Sequence, residues 1–240
     1  MSGHSKWSTI KRQKGITDAK RGLIFTKLSN AITIAVKQGG GIGDPTQNFR
    51  LRLAMDAAKT ANMPKDNVER AIKRVLGKEA GDLEEVVYEG FAPGGVSLII
   101  EATTDNSQRT TSLIKSVFNK TGGNFGQPGS VAYQFKQVGQ IGVKKEGKTF
   151  DDIFALAAES GAEDVEDLEK EVLIYTAISE LIRIKDKLVG KGIEVIDSQV
   201  IRKPIVKIEI TDDVILSKIG NFIDAIEDLE DVQKVYSNIA

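Results

Sequence analysis

The chain of 240 residues contains no cysteine, one histidine and one tryptophan. The absence of cysteine excludes disulfide bonds, zinc-thiolate sites and thiol catalysis. No apolar run approaches the roughly 18–20 residues that a membrane-spanning helix needs, and the first residues lack the apolar segment of a secretory signal. We therefore expect a cytoplasmic protein without a membrane partner.

The net charge of −1 conceals an uneven distribution of charge along the chain. Residues 1–80 contain 16 Lys and Arg against 6 Asp and Glu, a net charge of +10. Residues 81–240 contain 17 against 28, a net charge of −11. A basic N-terminal part on an acidic body is typical of a protein whose basic part meets a polyanion. The acidic remainder disfavours indiscriminate adhesion to the same polyanion.

The segment 2–15 holds the single His and the single Trp among closely spaced cations, without apolar periodicity of its own. Crowded cations beside an aromatic ring are typical of phosphate-backbone binding, in which the indole stacks or wedges. A solvated terminus is the alternative interpretation. The predicted nucleic-acid-binding residues are His4, Lys6, Trp7, Lys11, Arg12, Lys14, Lys20, Arg21 and Lys27.

Apolar residues at helical spacing predict three helices over 18–38, 47–62 and 64–76. Ion pairs at i,i+4 are expected on the third helix between Asp66 and Arg70 and between Glu69 and Lys73. Further cations either widen the positive surface or are solvated helix residues. They are Arg50, Arg52, Arg70, Lys73 and Arg74.

Beyond the helical region the apolar period changes from 3.6 to 2, which indicates strands. Two β-α-β-β-α-β patterns emerge, one inserted in the other, and each predicts a ferredoxin-like α/β sandwich. The outer pattern uses strands over 96–104, 131–135, 205–210 and 232–237, and a short strand over 85–89 precedes it. The predicted fold class is therefore α+β with three domains. These are residues 1–80 with the basic arm and three helices, a discontinuous ferredoxin-like domain of 81–138 with 204–240, and an inserted ferredoxin-like domain of 139–203.

The segment Gly142–Thr149 matches the phosphate-binding loop pattern GxxxxGK[ST]. Ile141 and Val143 flank the first glycine, so we interpret the segment as the end of a strand rather than a nucleotide site. The glycine-rich loop 121–130 either cradles an anion or is a flexible connection. The acidic pairs at 163–164, 227–228 and 230–231 lack His or Cys neighbours. We expect no catalytic residues, no metal site and no cofactor.

Motifs along the whole chain resemble those of a known family. They are Ser2–Trp7 with Ile10 and Lys11, Asp18–Gly22, Phe25–Leu28, Ala61–Asn67, Glu69–Lys73, Tyr88–Val96, Thr104–Asn106, Gly129–Tyr133, Gly161–Asp164 and Asp231–Tyr236. On these motifs the chain resembles the YebC family, which includes the mitochondrial translational activator of cytochrome oxidase subunit one. The departures are Arg12 where a His is usual, Gln13 where a further base is usual, and Phe125 in place of a Leu.

The resemblance implies a three-domain, cytoplasmic, non-enzymatic regulator of gene expression. Relatives are described both as DNA-binding transcriptional regulators and as ribosome-associated translation factors. The implied partner is therefore DNA or ribosomal RNA, with the ribosome as a further partner, and we expect a monomer. A different class stays open, in which the acidic sandwiches form a scaffold for a basic protein.

Overall fold

The computed structural model describes residues 18–77, 81 and 83–240. It begins with three helices, as the apolar spacing predicts: α1 is Asp18–Gln38, α2 is Phe49–Thr60 and α3 is Lys65–Leu76. Ile32, Val36 and Leu51 are fully buried between them. Small residues such as Ala58 and Ala71 complete this core and let the helices approach closely.

Asn48 fixes the connection between α1 and α2. Its side-chain oxygen accepts a hydrogen bond from Leu51 N at 3.1 Å and so caps α2. Its amide nitrogen donates to Ala35 O at 2.9 Å and to Ile42 O at 3.0 Å. One buried side chain therefore holds the end of α1, the glycine-rich turn and the start of α2.

The next elements are β1 Glu84–Phe91, β2 Ser97–Thr104, α4 Ser107–Thr121 and β3 Asn124–Phe125, and the last two of the chain are α7 Asp213–Glu227 and β8 Val232–Ser237. The four strands form an antiparallel sheet in the order β3-β1-β2-β8. Helices α4 and α7 cover one face, where Phe118 packs edge-on against Phe222 at 4.9 Å between ring centroids. On the other face Ile99 of β2 is also fully buried, and α1 contacts β2 and β8.

Two of the predicted strands in this sheet are wrong. Residues 132–134 form a 3₁₀ turn, and 205–210 contributes only a single parallel bridge between Ile208 and Ile239. The strand β1, which forms a hairpin with β2, instead pairs with β2 over its whole length. A hairpin closes a much shorter loop than a strand that returns about 100 residues later, so its entropic cost is lower.

Residues 136–203 form a second unit with its own four-stranded sheet. The strand order is β5 (Asp164–Asp167), β6 (Glu171–Thr176), β4 (Phe135–Lys144) and β7 (Val195–Pro204). Its β-α-β-β-α-β order agrees with the sequence pattern. Ile153, Ile174 and Leu181 are fully buried between helices and sheet. The helices are α5 Phe150–Ser160 and α6 Leu181–Gly190.

The α+β fold class is thereby confirmed, with an N-terminal helical region followed by two antiparallel sheets that carry helices. By its internal contacts the chain divides into two units, one up to Phe135 together with Pro204–Ala240 and the other Lys136–Lys203. The division into three domains with the boundaries given above stays a prediction. Within the described ranges, no helix is both long and apolar enough to cross a bilayer.

Candidate nucleic-acid interface

Most of the predicted nucleic-acid-binding residues precede the described part of the chain. His4, Lys6, Trp7, Lys11, Arg12 and Lys14 lie outside the described residues. Lys20 lies in the first turn of α1, and Arg21 follows it with an exposed side chain. The phosphate-binding role of these residues stays a prediction.

Lys27 has a structural partner. Its ammonium group donates to Glu227 O at 2.5 Å, and its side chain is half-buried. Glu227 is the last residue of α7, where the helix dipole favours a cation. The contact therefore joins α1 to the end of α7. Two residues on, Ser29 lies on the opposite side of α1, about 200° away.

A groove of about 380 Å³ lies between α1 and α3 on the Ser29 side. Helix α3 contributes positions spaced three and four residues apart, which form one helical face. Helix α1 contributes an aromatic ring and three hydroxyl groups. The lining residues are Phe25, Thr26, Ser29 and Thr33 from α1, and Asn67, Arg70, Ala71 and Arg74 from α3.

The two groove arginines differ in how they are held. Arg70 donates from Nη2 to Asn67 Oδ1 at 2.5 Å and from Nε to Asp66 O at 3.4 Å. The ion pair predicted between Arg70 and the Asp66 carboxylate is therefore wrong, because the guanidinium turns to an amide and a carbonyl instead. Arg74 is exposed and makes no hydrogen bond or ion pair with any residue in the described ranges.

Small and hydroxylated residues keep the groove open between the arginines and α1. Thr33 is fully buried and donates to Ala71 O at 3.4 Å, which fixes the floor. Gly22 lies one turn before Thr26 on the same face, and an added Cβ there would meet no described residue within 4 Å.

The other cations that were considered for a wider positive surface do not line the groove. Arg50 pairs with the Glu85 carboxylate on β1 at 3.3 Å. Lys73 pairs with Glu69 at 3.8 Å, so this i,i+4 prediction is confirmed. Only Arg70 and Arg74 of the five cations named above line the groove. Sequence reasoning identified these two as cations but missed Phe25, Thr26 and Ser29, because only the packing of α1 on α3 brings them together.

The segment matching the phosphate-binding loop is a strand followed by a helix cap. Gly142 pairs with Leu173 inside the sheet, as interpreted from its flanking residues. Lys144 is ion-paired with Glu194, which raises the pKa of Lys144, and Lys145 is ion-paired with Asp167. Thr149 caps α5 in a capping box with Asp152. Lys144, Lys145 and Thr149 are therefore used within the fold, and the first glycine of the pattern lies inside a strand instead of a loop that could wrap a phosphate.

The glycine-rich loop after α4 is organised by a buried carboxylate. Glu89 accepts hydrogen bonds from Gly129 N, Val131 N and Ala132 N at 2.7, 2.7 and 2.8 Å. These backbone donors are consequently not directed at an external anion. Across the described part of the chain, no group of three or more His, Asp or Glu side chains is arranged to hold a metal ion.

Fold and site together define a class: an N-terminal helical region with an arginine-lined groove, followed by two antiparallel sheets with helices. The family model for the TACO1/YebC N-terminal domain matches residues 5–78, and the model for the second and third domains matches residues 83–239. The chain belongs to the TACO1/YebC family.

Relatives match over nearly the full length of the chain. Proteins named "probable transcriptional regulatory protein" are 46% identical in Roseiflexus castenholzii and 48% identical in Acidithiobacillus ferrooxidans. The alignments cover 100% and 99% of this chain and 95% and 94% of those proteins. A crystal structure of a conserved hypothetical protein from Aquifex aeolicus superposes with a TM-score of 0.85 at 43% identity, covering 93% of this chain and 91% of that one.

Proposed function

We propose that the protein is a non-enzymatic, nucleic-acid-binding regulator of gene expression that acts on DNA in the cytoplasm. Its relatives are named probable transcriptional regulatory proteins, which supports the regulatory part of this proposal. The observation that carries the proposal is the segregation of charge, with a net charge of +10 in residues 1–80 and −11 in residues 81–240. Within residues 18–77, the positive charges include Arg70 and Arg74, which line the groove between α1 and α3. No carboxylate of a described residue lines that groove.

The physical basis is counterion release. Each phosphate that a Lys or Arg neutralises frees condensed cations, so affinity falls with salt at a slope of roughly −0.9 per contact on duplex DNA. Repulsion between the acidic body and the polyanion restricts binding to the basic part. Catalysis has no role in the proposal, because the one motif that suggested it is a strand and a helix cap.

A second candidate function is a translation factor that binds ribosomal RNA on the ribosome and activates synthesis of particular proteins. One observation favours it: Asn67 on the α3 groove face accepts a hydrogen bond from Arg70 through Oδ1, so that this side chain cannot form a two-bond contact with a base edge through its oxygen and nitrogen without breaking that bond. Backbone and shape recognition, which suits structured RNA, needs no such contact. The acidic scaffold is the candidate from another class, and it requires no nucleic acid.

One experiment separates the three candidates. The full chain and a variant lacking residues 1–20 are titrated with duplex DNA and with ribosomal RNA fragments between 50 and 200 mM salt. Loss of binding in the truncated variant and a steep salt dependence for the full chain are expected. Affinity that does not change with salt would contradict the proposal, whereas binding of a basic protein that survives the truncation would favour the scaffold.

The nucleic acid itself is identified by crosslinking in cells followed by sequencing of the attached strands. Promoter DNA among the crosslinked sequences would support the transcriptional role. Reads dominated by ribosomal RNA would instead support the translation factor.

A further inference from the structure

The groove between α1 and α3 has the shape and chemistry of a site for an unpaired nucleotide. We propose that it binds a single-stranded segment of DNA or RNA, with Arg70 and Arg74 on the phosphates and Phe25 against a base. This inference rests on the proposed function and adds to it the site and the strand state of the nucleic acid.

The charge of the groove favours an anionic ligand. Among the described residues, its lining contains two arginines and no carboxylate. The guanidinium of Arg has five donors in a planar fork, which matches the oxygens of a phosphate. The contacts of Arg70 with Asn67 and with the Asp66 carbonyl hold it in place and use only part of this fork. Arg74, one turn further along α3, is exposed on the same face.

Hydroxyl groups and an aromatic ring of α1 lie opposite the arginines. Thr26 and Ser29 bring hydroxyl groups that both donate and accept, suited to sugar or phosphate oxygens. Phe25 is half-buried, with part of its ring packed on the helical core and part lining the groove. An aromatic wall beside cations is the combination that binds single strands without sequence preference.

The size of the groove favours an unpaired nucleotide over a duplex. Packed helices lie with their axes roughly 8–10 Å apart, and Thr33 bonded to Ala71 closes the floor of this groove. A double helix cannot enter such a space, and its stacked bases cannot reach Phe25. A volume of about 380 Å³ is suited to one unpaired nucleotide.

The test compares binding of an oligouridine RNA, an oligothymidine DNA and a duplex, each of about 12 units, by fluorescence anisotropy with the full chain. We expect Arg74→Ala and Arg70→Ala each to weaken binding of both single strands by about fivefold to tenfold and to reduce the salt slope by about 0.7. Lys65→Ala is the matched control, because Lys65 is exposed on the same helix but does not line the groove. Phe25→Leu keeps the core apolar and removes the stacking surface.

Each outcome has a distinct meaning. Losses in the arginine variants and in Phe25→Leu, with none in Lys65→Ala, support the groove as the site. If the wild-type chain binds the probes and Arg70→Ala and Arg74→Ala bind them as tightly as Lys65→Ala does, the groove is not the binding site. The proposed function would still stand. Equal losses for duplex and single strands overturn the strand preference. A wild-type chain that binds none of the three probes overturns both proposals.

Discussion

Arg109 on α4 donates hydrogen bonds from Nη2 to both carboxylate oxygens of Asp231, at 3.1 and 3.0 Å. Thr110 Oγ1 donates to Asp231 Oδ2 at 2.6 Å, and the Asp231 carbonyl accepts from Thr103 N at 2.8 Å. The Asp231 side chain is only 12% exposed. Asp231 therefore connects the end of β2, the first turn of α4 and the start of β8 through its carbonyl and its carboxylate, which assigns a structural role to the first residue of the family motif Asp231–Tyr236.

Asp231→Asn should destabilise the sheet unit by about 1–3 kcal/mol, since the hydrogen bonds from Thr110 and Arg109 lose a charged acceptor in a largely buried position. Urea unfolding followed by circular dichroism measures the change. The control is Asp105→Asn, which removes the negative charge of the other ion-pair partner of Arg109. The Asp105 side chain is 65% exposed. That change should be close to neutral. Equal effects of the two substitutions would contradict the role given to Asp231.

Glu89→Gln should cost about 2–3 kcal/mol, because the amide group that replaces one carboxylate oxygen faces backbone donors and cannot accept from them. The loop 129–132 should lose its order with the carboxylate that holds it. Hydrogen exchange at Val131 and Ala132 reports the loop, and denaturant unfolding reports the total. Glu84→Gln on the exposed end of the same strand is the control. Unchanged exchange at the two amides would show that the carboxylate does not organise the loop.

The Glu89 carboxylate also explains why the strand predicted over 131–135 does not form. Val131, Tyr133 and Phe135 alternate as a strand would, but Glu89 captures Val131 N and Ala132 N, so these groups cannot join a ladder. Ile205 and Val206 also read as strand residues, and their side chains remain 65% and 58% exposed. A local sequence pattern carries no information about partners that are distant along the chain.

The sequence is sufficient to predict an element when local interactions determine where that element begins and ends. Helix α1 has the predicted bounds because its apolar spacing and the glycines after it are local signals. The cations of α3 were visible in the same way. The groove was not, because nothing local shows that Ser29 and Arg74 share one cleft. Prediction of the site required the packing of two helices.

The stability of the second unit should depend on pH through Asp152. Its carboxylate accepts from the Thr149 hydroxyl at 2.7 Å and from Thr149 N at 3.0 Å, and these bonds lower the pKa of Asp152. A lowered pKa in the folded state stabilises the fold above the unfolded pKa, and this contribution is lost as pH falls through the folded value. Asp152→Ala should therefore lower the melting temperature at pH 7. Its difference from the wild type should start to shrink only below the ordinary aspartate pKa of about 3.9 and should disappear below the lowered pKa of the folded state.

The control for this prediction is Asp151→Ala, which removes a neighbouring carboxylate in the same helical turn that takes no part in the capping box. Its effect on melting temperature should be smaller at pH 7. A difference between wild type and Asp152→Ala that stayed constant from pH 7 to pH 3 would show that the charge of Asp152 does not contribute.

Gly90→Ala and Gly22→Ala should change stability in opposite directions, although both add one methyl group. A Cβ on Gly90 would lie 2.5 Å from Phe118 Cε1 and 2.7 Å from Asn124 O, so β1 or the aromatic core must shift. Overpacking of this kind costs about 1–3 kcal/mol. Gly22 lies within α1, and a Cβ there would meet none of the described residues within 4 Å, so Ala should add roughly 0.5–1 kcal/mol by restricting the unfolded chain and favouring the helix. Thermal unfolding of the two variants beside the wild type measures both, and a stabilising Gly90→Ala would contradict the contact between β1 and Phe118.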